Sequence, residues 1–252
     1  MLSKRHADIL KILDAQGTVT VVQLAQSLGV SSETVRRDLR PLTEGGAVLR
    51  MHGAVSLSGQ SGEAPFRRRM RENAVGKQAI ARAFAASIRD GDVLMLDTGT
   101  TTSFVARALT GHRRLTVITN STDVARTLAG TGDNRVFLAG GEVRGDSGAV
   151  LGSAAVDYVS GFQAGCAVIS AGAVDAAGVM DFDPAEADLA RAMLARSARR
   201  VLVTDQSKFG RRGLVTVVPL DGLDEVMTDA APPPDIAAAI AQARVELTIA
   251  RT

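Results

Sequence analysis

Five short segments hold the residues with the greatest chemical capacity. They are Asp97-Thr98-Gly99-Thr100-Thr101-Thr102, Asn120-Ser121, Gly140-Gly141-Glu142, Ala171-Gly172 and Asp205-Gln206-Ser207-Lys208. Small and hydroxyl-bearing residues leave backbone N–H groups accessible, and such groups placed ahead of a helix can cradle a phosphate. Lys208 would add a point charge. Asp97 and Asn120 could hydrogen-bond ligand hydroxyls, and Asp97, Glu186 and Lys208 are capable of acid–base work. The chain has no GxxxxGK[ST] and no proper GxGxxG, so readings as a triphosphate or dinucleotide site lose support.

A second constellation lies near the N-terminus. Val35, Leu39 and Leu42 recur at i, i+4 and i+7, the spacing of one buried helix face. Ser32, Thr34, Arg36, Arg37 and Arg40 fall largely outside that stripe. Hydroxyls and arginines early on an exposed helix face suit the major groove, with short side chains and Arg reaching base edges and other Arg holding phosphates.

The elements that must position these groups can be read from periodicity. Residues 3–16 read as a helix with Ile9 and Leu13 inward, and residues 21–28 as a second helix. Gly29-Val30-Ser31 is a tight turn, and Ser31 or Ser32 caps the third helix, whose positive end Glu33 favours. Two short helices, a glycine turn and an Arg-rich third helix compose a helix-turn-helix. After Gly45-Gly46, residues 47–57 alternate and turn at His52-Gly53, as a wing hairpin would, placing Arg50 and His52 near the DNA backbone. Pro41 removes a backbone donor and disfavours helical geometry at Arg40, so the third helix is expected to kink or end early.

Residues 58–72 read as a linker whose Ser/Gly-rich stretch ends at Pro65-Phe66; the run Arg67-Arg68-Arg69-Met70-Arg71 that follows could lie beside DNA phosphates but is taken as a solvated face at the start of the next helix. From residue 73 helix and strand alternate. Ile80, Phe84 and Ile88 mark a helix. Strands are expected at 93–97, 115–119, 135–139, 166–170 and 200–204, with helices at 104–109, 123–128 and 184–198 among them. This is an α/β pattern: a mostly parallel sheet with helices on both faces, ligands binding beyond the C-terminal strand ends. The five small-residue segments fall at those ends.

Composition and charge agree with two modules. Hydrophobic residues make up 46% of the 252-residue chain, enough for a substantial core. Residues 1–75 hold 11 Lys/Arg and 7 Asp/Glu, a net of +4, whereas residues 76–252 carry a net of −2. No apolar run approaches the roughly 20 residues of a membrane span, and charges at Lys4, Arg5, Asp8, Lys11 and Asp14 disfavour a signal peptide. A single cysteine, Cys166, excludes an intrachain disulfide or a cysteine-cluster metal site, and it is taken as a small core residue. No metal or cofactor is expected, and the protein is expected to be cytoplasmic.

Val30-Ser31-Ser32-Glu33-Thr34-Val35-Arg36-Arg37-Asp38-Leu39 resembles the signature VSxxTIRRDL of the DeoR family of bacterial transcription repressors. Arg50-Met51-His52-Gly53-Ala54 is similar to the family's RxHGGA wing, with Ala54 replacing the second glycine. Asp97-Thr98-Gly99-Thr100-Thr101 resembles the DxGTT motif of its sensor domains, and Val117-Ile118-Thr119-Asn120 their VxTN segment. The resemblance covers nearly the whole chain. It implies a winged helix-turn-helix over 1–57, a linker over 58–72 and, over 73–252, an α/β sensor domain of the ribose-5-phosphate-isomerase-like type that binds a phosphorylated metabolite.

Four further stretches resemble the branch of the family that responds to glycerol 3-phosphate: Leu138 to Arg144, Phe182-Asp183 before Glu186, Asp205 to Arg211, and Thr228 to Pro234. They bring Gly140, Gly141 and Glu186 into the expected effector site beside Asp97, Thr98, Gly99, Thr100, Thr101, Thr102, Asn120 and Lys208. Ala190 stands where many relatives carry Lys, and Arg191 faces another direction. The implied function is a repressor, acting as a homodimer or homotetramer on operator DNA and released by glycerol 3-phosphate or, second, a pentose or hexose phosphate. The alternative is a sugar-phosphate isomerase fused to a DNA-binding domain. A fused DNA reader has a use for a ligand switch and none for turnover, so no enzymatic activity is expected.

Overall fold

The computed structural model describes residues 4–16, 18–44, 47–51, 54–57 and 64–251. The chain divides into two compact units, Met1–Pro65 and Phe66–Thr252.

The first unit contains α1 (Lys4–Gln16), β1 (Val19–Thr20), α2 (Val21–Leu28), α3 (Ser32–Glu44), β2 (Val48–Met51) and β3 (Ala54–Leu57). Thr20 and Gln23 form a reciprocal capping box at the start of α2, and left-handed Gly29 (φ 65°) closes its end. Ile9, Leu13, Leu24, Val35, Leu39, Leu42 and Val55 form one core. The hairpin β2–β3 is antiparallel, and β1 pairs with β3. Pro41 neither ends nor shortens α3, which runs to Glu44. The burial of Leu39 and Leu42 on either side of Pro41 holds the helix, while the proline itself sits on the exposed face. Tertiary packing outweighs local propensity there.

The second unit opens with a short helix, α4 (Phe66–Arg69), followed by α5 (Ala74–Ala86). It therefore begins seven residues before the boundary suggested by composition: Phe66 is buried and its N–H donates to Asp146 at 3.0 Å. The chain continues through β4 (Val93–Leu96), α6 (Thr100–Ala108), β5 (Thr116–Thr119), α7 (Thr122–Leu128), β6 (Arg135–Leu138), α8 (Ser153–Ser160), β7 (Ala164–Ile169), β8 (Ala173–Asp175) and β9 (Gly178–Asp181). It ends with α9 (Pro184–Ala195), β10 (Ser197–Val203), β11 (Val215–Pro219), β12 (Glu225–Thr228), α10 (Pro234–Gln242) and β13 (Glu246–Ile249).

Seven strands form one sheet in the order β13-β12-β10-β7-β4-β5-β6, parallel at every pairing. Both faces are covered, as parallel sheets require. Leu94, Leu96, Val117, Val168, Val201 and Val203 face one core with Ile80, Phe84, Val105 and Val124. Met95, Ile118, Ala167, Ile169 and Leu202 face the other with Val159, Leu189, Met193 and Ile236. The alternation along each strand is the period of two that strand geometry imposes.

Two expectations are corrected in detail. The helix from Pro184 stops at Ala195, because Ser197 already pairs with Ala164 of β7. A three-stranded antiparallel sheet, β11-β9-β8, lies between β7 and β12 in sequence and was not anticipated. None of the described helices is long and apolar enough to cross a membrane. Among the described residues no His, Cys, Asp and Glu group is arranged to hold a metal ion.

Candidate effector site and DNA-reading face

In the first unit, Ser31 rather than Ser32 caps α3: its hydroxyl accepts from the Thr34 N–H at 3.2 Å. Arg36, Arg37 and Arg40 are exposed, with Ser32 and Thr34 partly so. Arg36 pairs with Glu33 at 3.3 Å and Arg40 with Glu44 at 2.9 Å, both within the helix. Such exposed pairs are worth little and can be exchanged for phosphates. Arg50 lies on β2, but its side chain, and the whole of His52 and Gly53, lie outside the described residues. Asp38 belongs to the quoted motif, but its spacing gives it no role. Its carboxylate takes a forked hydrogen bond from Arg5, Nη2 reaching Oδ1 at 2.9 Å and Nε reaching Oδ2. The Arg5 bond, foremost, holds the Asp38 carboxyl below its ordinary range. That fork fixes α3 against α1, leaving the neighbouring arginines free to face outward.

In the second unit, parallel pairing puts the C-terminal ends of β6, β5, β4, β7, β10 and β12 along one edge of the sheet. The chain runs outward from β4 in both directions, so the strand order reverses between β4 and β7. Clefts in open α/β sheets form at such a reversal. Asp97 follows β4 and Ser170 follows β7. The Ser170 N–H donates to Asp97 Oδ2 at 2.8 Å. Gly99 lies so close to this junction that a Cβ there would stand 2.0 Å from Ser170 Oγ and 2.8 Å from its Cβ. Thr100, Thr101 and Thr102 open α6, and Thr102 Oγ1 donates to the Gly99 carbonyl at 3.0 Å.

Asp97, Thr98, Thr100, Thr101, Thr102, Asn120 and Lys208 are all buried at this edge. Burial pushes the Asp97 carboxyl up to about 7, against the lowering effect of the hydrogen bond from Ser170. Asn120 donates to the Val150 carbonyl at 3.2 Å. Several buried polar atoms have no hydrogen-bond partner among the described residues: Asp97 Oδ1, Thr98 Oγ1, Asn120 Oδ1, Thr204 Oγ1 and Thr228 Oγ1. They follow or end β4, β5, β10 and β12. Each such group carries a penalty of about 1–3 kcal/mol unless something binds it. Thr204 and Ser170 are not expected in the site from sequence because isolated hydroxyls at strand ends carry no motif, and Thr228 is read only as part of a resemblance, with no role assigned.

The remaining predicted residues are placed differently. Gly140 and Gly141 are exposed beyond β6. Glu186 stands in the first turn of α9 rather than at a strand end, 3.4 Å from Arg144, which also pairs with Asp183 at 2.5 Å. Ala190 is buried in the core. Arg191 turns to β11, donating to the Val217 carbonyl at 3.2 Å. Asp205 is answered by Lys77, another residue absent from the sequence reading, at 3.8 Å. Burial works against the Asp205 charge, yet the hydrogen bonds from Ser207 and Asn73 and the charge of Lys77 hold its carboxyl below the ordinary range. A separate cleft of about 720 Å³ is lined by Arg67, Arg71, Arg107, Arg126, Asp146 and Gly148 among others, and by none of the residues expected to hold an effector.

A helix-turn-helix unit followed by a parallel α/β unit with buried polar residues at its strand-order reversal is the make-up of a DNA-binding regulator with a sensor domain. The chain belongs to the DeoR family of transcriptional regulators: residues 5–60 match the DeoR-like helix-turn-helix domain and residues 72–230 the DeoR C terminal sensor domain. It is 35% identical over 248 residues to the glycerol-3-phosphate regulon repressor of Escherichia coli (strain K12), covering 98% of each chain. It is 32% identical over 246 residues to the HTH-type transcriptional repressor CsqR of the same organism, covering 97% of this chain and 94% of that one. Both relatives are transcriptional repressors by name. Among solved structures, the chain is similar to ribose 5-phosphate isomerase A from Neisseria gonorrhoeae, with a TM-score of 0.40 and 18% identity over 54% of this chain and 53% of that one.

Proposed function

We propose that this protein represses genes of glycerol or carbohydrate metabolism in the cytoplasm, binding operator DNA as a homodimer or homotetramer until glycerol 3-phosphate releases it. Ser32, Thr34, Arg36 and Arg37 read base edges, while Arg40, Arg50 and His52 hold the phosphate backbone. The effector phosphate lies over the Thr98–Thr102 turn, where the first N–H groups of α6 and the Lys208 ammonium replace its hydration. Asp97 and Asn120 face the hydroxyls of the carbon chain, since a carboxylate would repel the phosphate. The reading rests above all on the buried polar atoms without partners at this edge, beside a helix start and a buried lysine. The choice of glycerol 3-phosphate follows the relatives that share its name.

Fluorescence anisotropy tests the reading, using a duplex selected by the protein from a random-sequence pool. Glycerol 3-phosphate should release the duplex and raise the melting temperature of the free protein. Release by ribose 5-phosphate or a hexose phosphate alone would reassign the effector, and release by none of them would end the proposal.

A further inference from the structure

Lys77 is almost wholly buried, at 2% exposure. It lies on α5, three residues before Ile80 and seven before Phe84, on the apolar stripe. A buried ammonium is expensive unless every proton is met. Here its Nζ donates to the Arg69 carbonyl at 2.6 Å and the Glu72 carbonyl at 2.8 Å, and it stands 3.8 Å from Asp205 Oδ2. Lys77 therefore clasps the end of α4 on one side and the Asp205 loop on the other.

Asn73 makes a parallel link. Its side-chain N–H group donates to Asp205 Oδ1 at 3.2 Å and to Asp229 Oδ2 at 2.8 Å. Its left-handed backbone (φ 50°) turns the chain between α4 and α5 to make this reach. Gly76 permits the approach, because a Cβ there would stand 2.2 Å from Asp229 Oδ2. Asp229 in turn accepts from the Gln206 N–H at 2.7 Å. The same single turn, Gln206–Lys208, ends in the lysine assigned above to the effector phosphate.

From this geometry we infer that Asn73 and Lys77 are positioning residues that transmit effector binding at the Asp205–Lys208 turn to α4, the element through which the chain enters from the DNA-binding unit. The inference rests on the effector reading above for the identity of the signal. A phosphate drawing on Lys208 shifts the turn, the turn carries Asp205 and the Gln206–Asp229 contact, and these pull on Asn73 and Lys77. Lys77 passes the shift to the Arg69 and Glu72 carbonyls. The path is a continuous set of hydrogen bonds and one buried ion pair, with no step through the hydrophobic core.

The test compares wild type, Lys77→Met and Asn73→Gly. Glycine accepts the left-handed backbone at position 73 and removes only the amide, so Asn73→Gly carries the test if Lys77→Met does not fold. Duplex affinity is measured with and without saturating glycerol 3-phosphate, and glycerol 3-phosphate affinity by calorimetry. In wild type the two duplex affinities should differ by roughly 5- to 150-fold, the usual range of allosteric coupling. In the variants that ratio should collapse toward one while glycerol 3-phosphate affinity stays within about threefold, a pattern that a purely structural role does not produce. A wild-type ratio in either folded variant overturns the inference.

A second arm uses no effector, because coupling is reciprocal. Hydrogen exchange is followed over residues 66–72 and 205–209 with and without the selected duplex. Duplex binding should alter exchange in both segments of wild type, and in residues 66–72 alone in Asn73→Gly. If glycerol 3-phosphate fails to bind wild type, the effector reading falls and this arm decides the tether: an unchanged 205–209 segment in wild type overturns it.

Discussion

The main-chain N–H of Ser170 donates to the side chain of Asp97 at 2.8 Å, joining the ends of β7 and β4 where the strand order reverses. One carboxyl oxygen is thereby fixed by the backbone of the next strand, while the other, Oδ1, has no hydrogen-bond partner among the described residues. The bond both closes the sheet edge and aims a single acceptor.

Asp97 gives stability a recognisable pH dependence. Its carboxyl titrates at about 7 in the folded protein, because of burial, against about 3.9 in an unfolded chain. Between these values the folded state binds more protons, so this group lowers stability as pH rises from about 4 to about 7. Asp205 acts oppositely, stabilising above the ordinary carboxylate range and losing that effect only as pH falls through its depressed value. Asp97→Asn, still able to accept from Ser170, should gain melting temperature relative to wild type between about pH 5 and 7, levelling off above that. Parallel thermal-melt curves across that window, each pH step roughly half a unit, would contradict the assignment.

Gly99→Ala places a methyl against Ser170, whose Cβ cannot rotate away. Overpacking of this kind costs about 1–3 kcal/mol. The variant should unfold at lower urea, and Ser170→Gly in the same chain should restore most of the loss. Wild-type stability of the single variant would show that the strand ends separate freely.

Arg36→Ala with Arg37→Ala should weaken binding to the selected duplex, since both stand exposed on α3. Arg37→Ala alone should cost about 1–3 kcal/mol if it reads a base, with relaxed specificity at one position, and less if it meets a phosphate. A folded double variant that binds the duplex like wild type would remove α3 from the recognition surface.

Lys208→Ala should leave duplex affinity intact and weaken glycerol 3-phosphate by roughly 10- to 100-fold, the worth of a hydrogen bond to a charged group. The result in cells is a repressor that cannot be released. Normal release at wild-type effector concentration, accompanied by a lower melting temperature, would make the lysine structural.

Much of this architecture is legible in the residues themselves. The stripe Val35, Leu39, Leu42 fixes the outward face of α3, and the apolar runs ahead of Asp97 and Asn120 mark true strands of the sheet. What escapes is set by distant partners. Pro41 reads as a helix breaker, yet the core holds α3 around it. Strands β8 and β9 are too short for alternation to announce them, and the Val-rich run of β11 closes on Pro219. Lys77 does leave a signal, a charge on a buried stripe, but its meaning depends on Asp205, more than a hundred residues away. Ser170 carries no signal, since its main contribution is a backbone N–H, with its hydroxyl reaching the same Asp97 oxygen at 3.5 Å.

The one cysteine has a practical consequence. Cys166 is buried in β7, and burial pushes its thiol up to about 12. Near neutral pH roughly one molecule in ten thousand or fewer would present the reactive thiolate. Direct oxidation of this thiol in the folded protein should therefore be slow. The protein also needs no thiol removed before labelling. A cysteine introduced at an exposed position such as Val22 or Val75 would take a maleimide dye selectively, so a fluorophore can be set on either unit of an otherwise native chain.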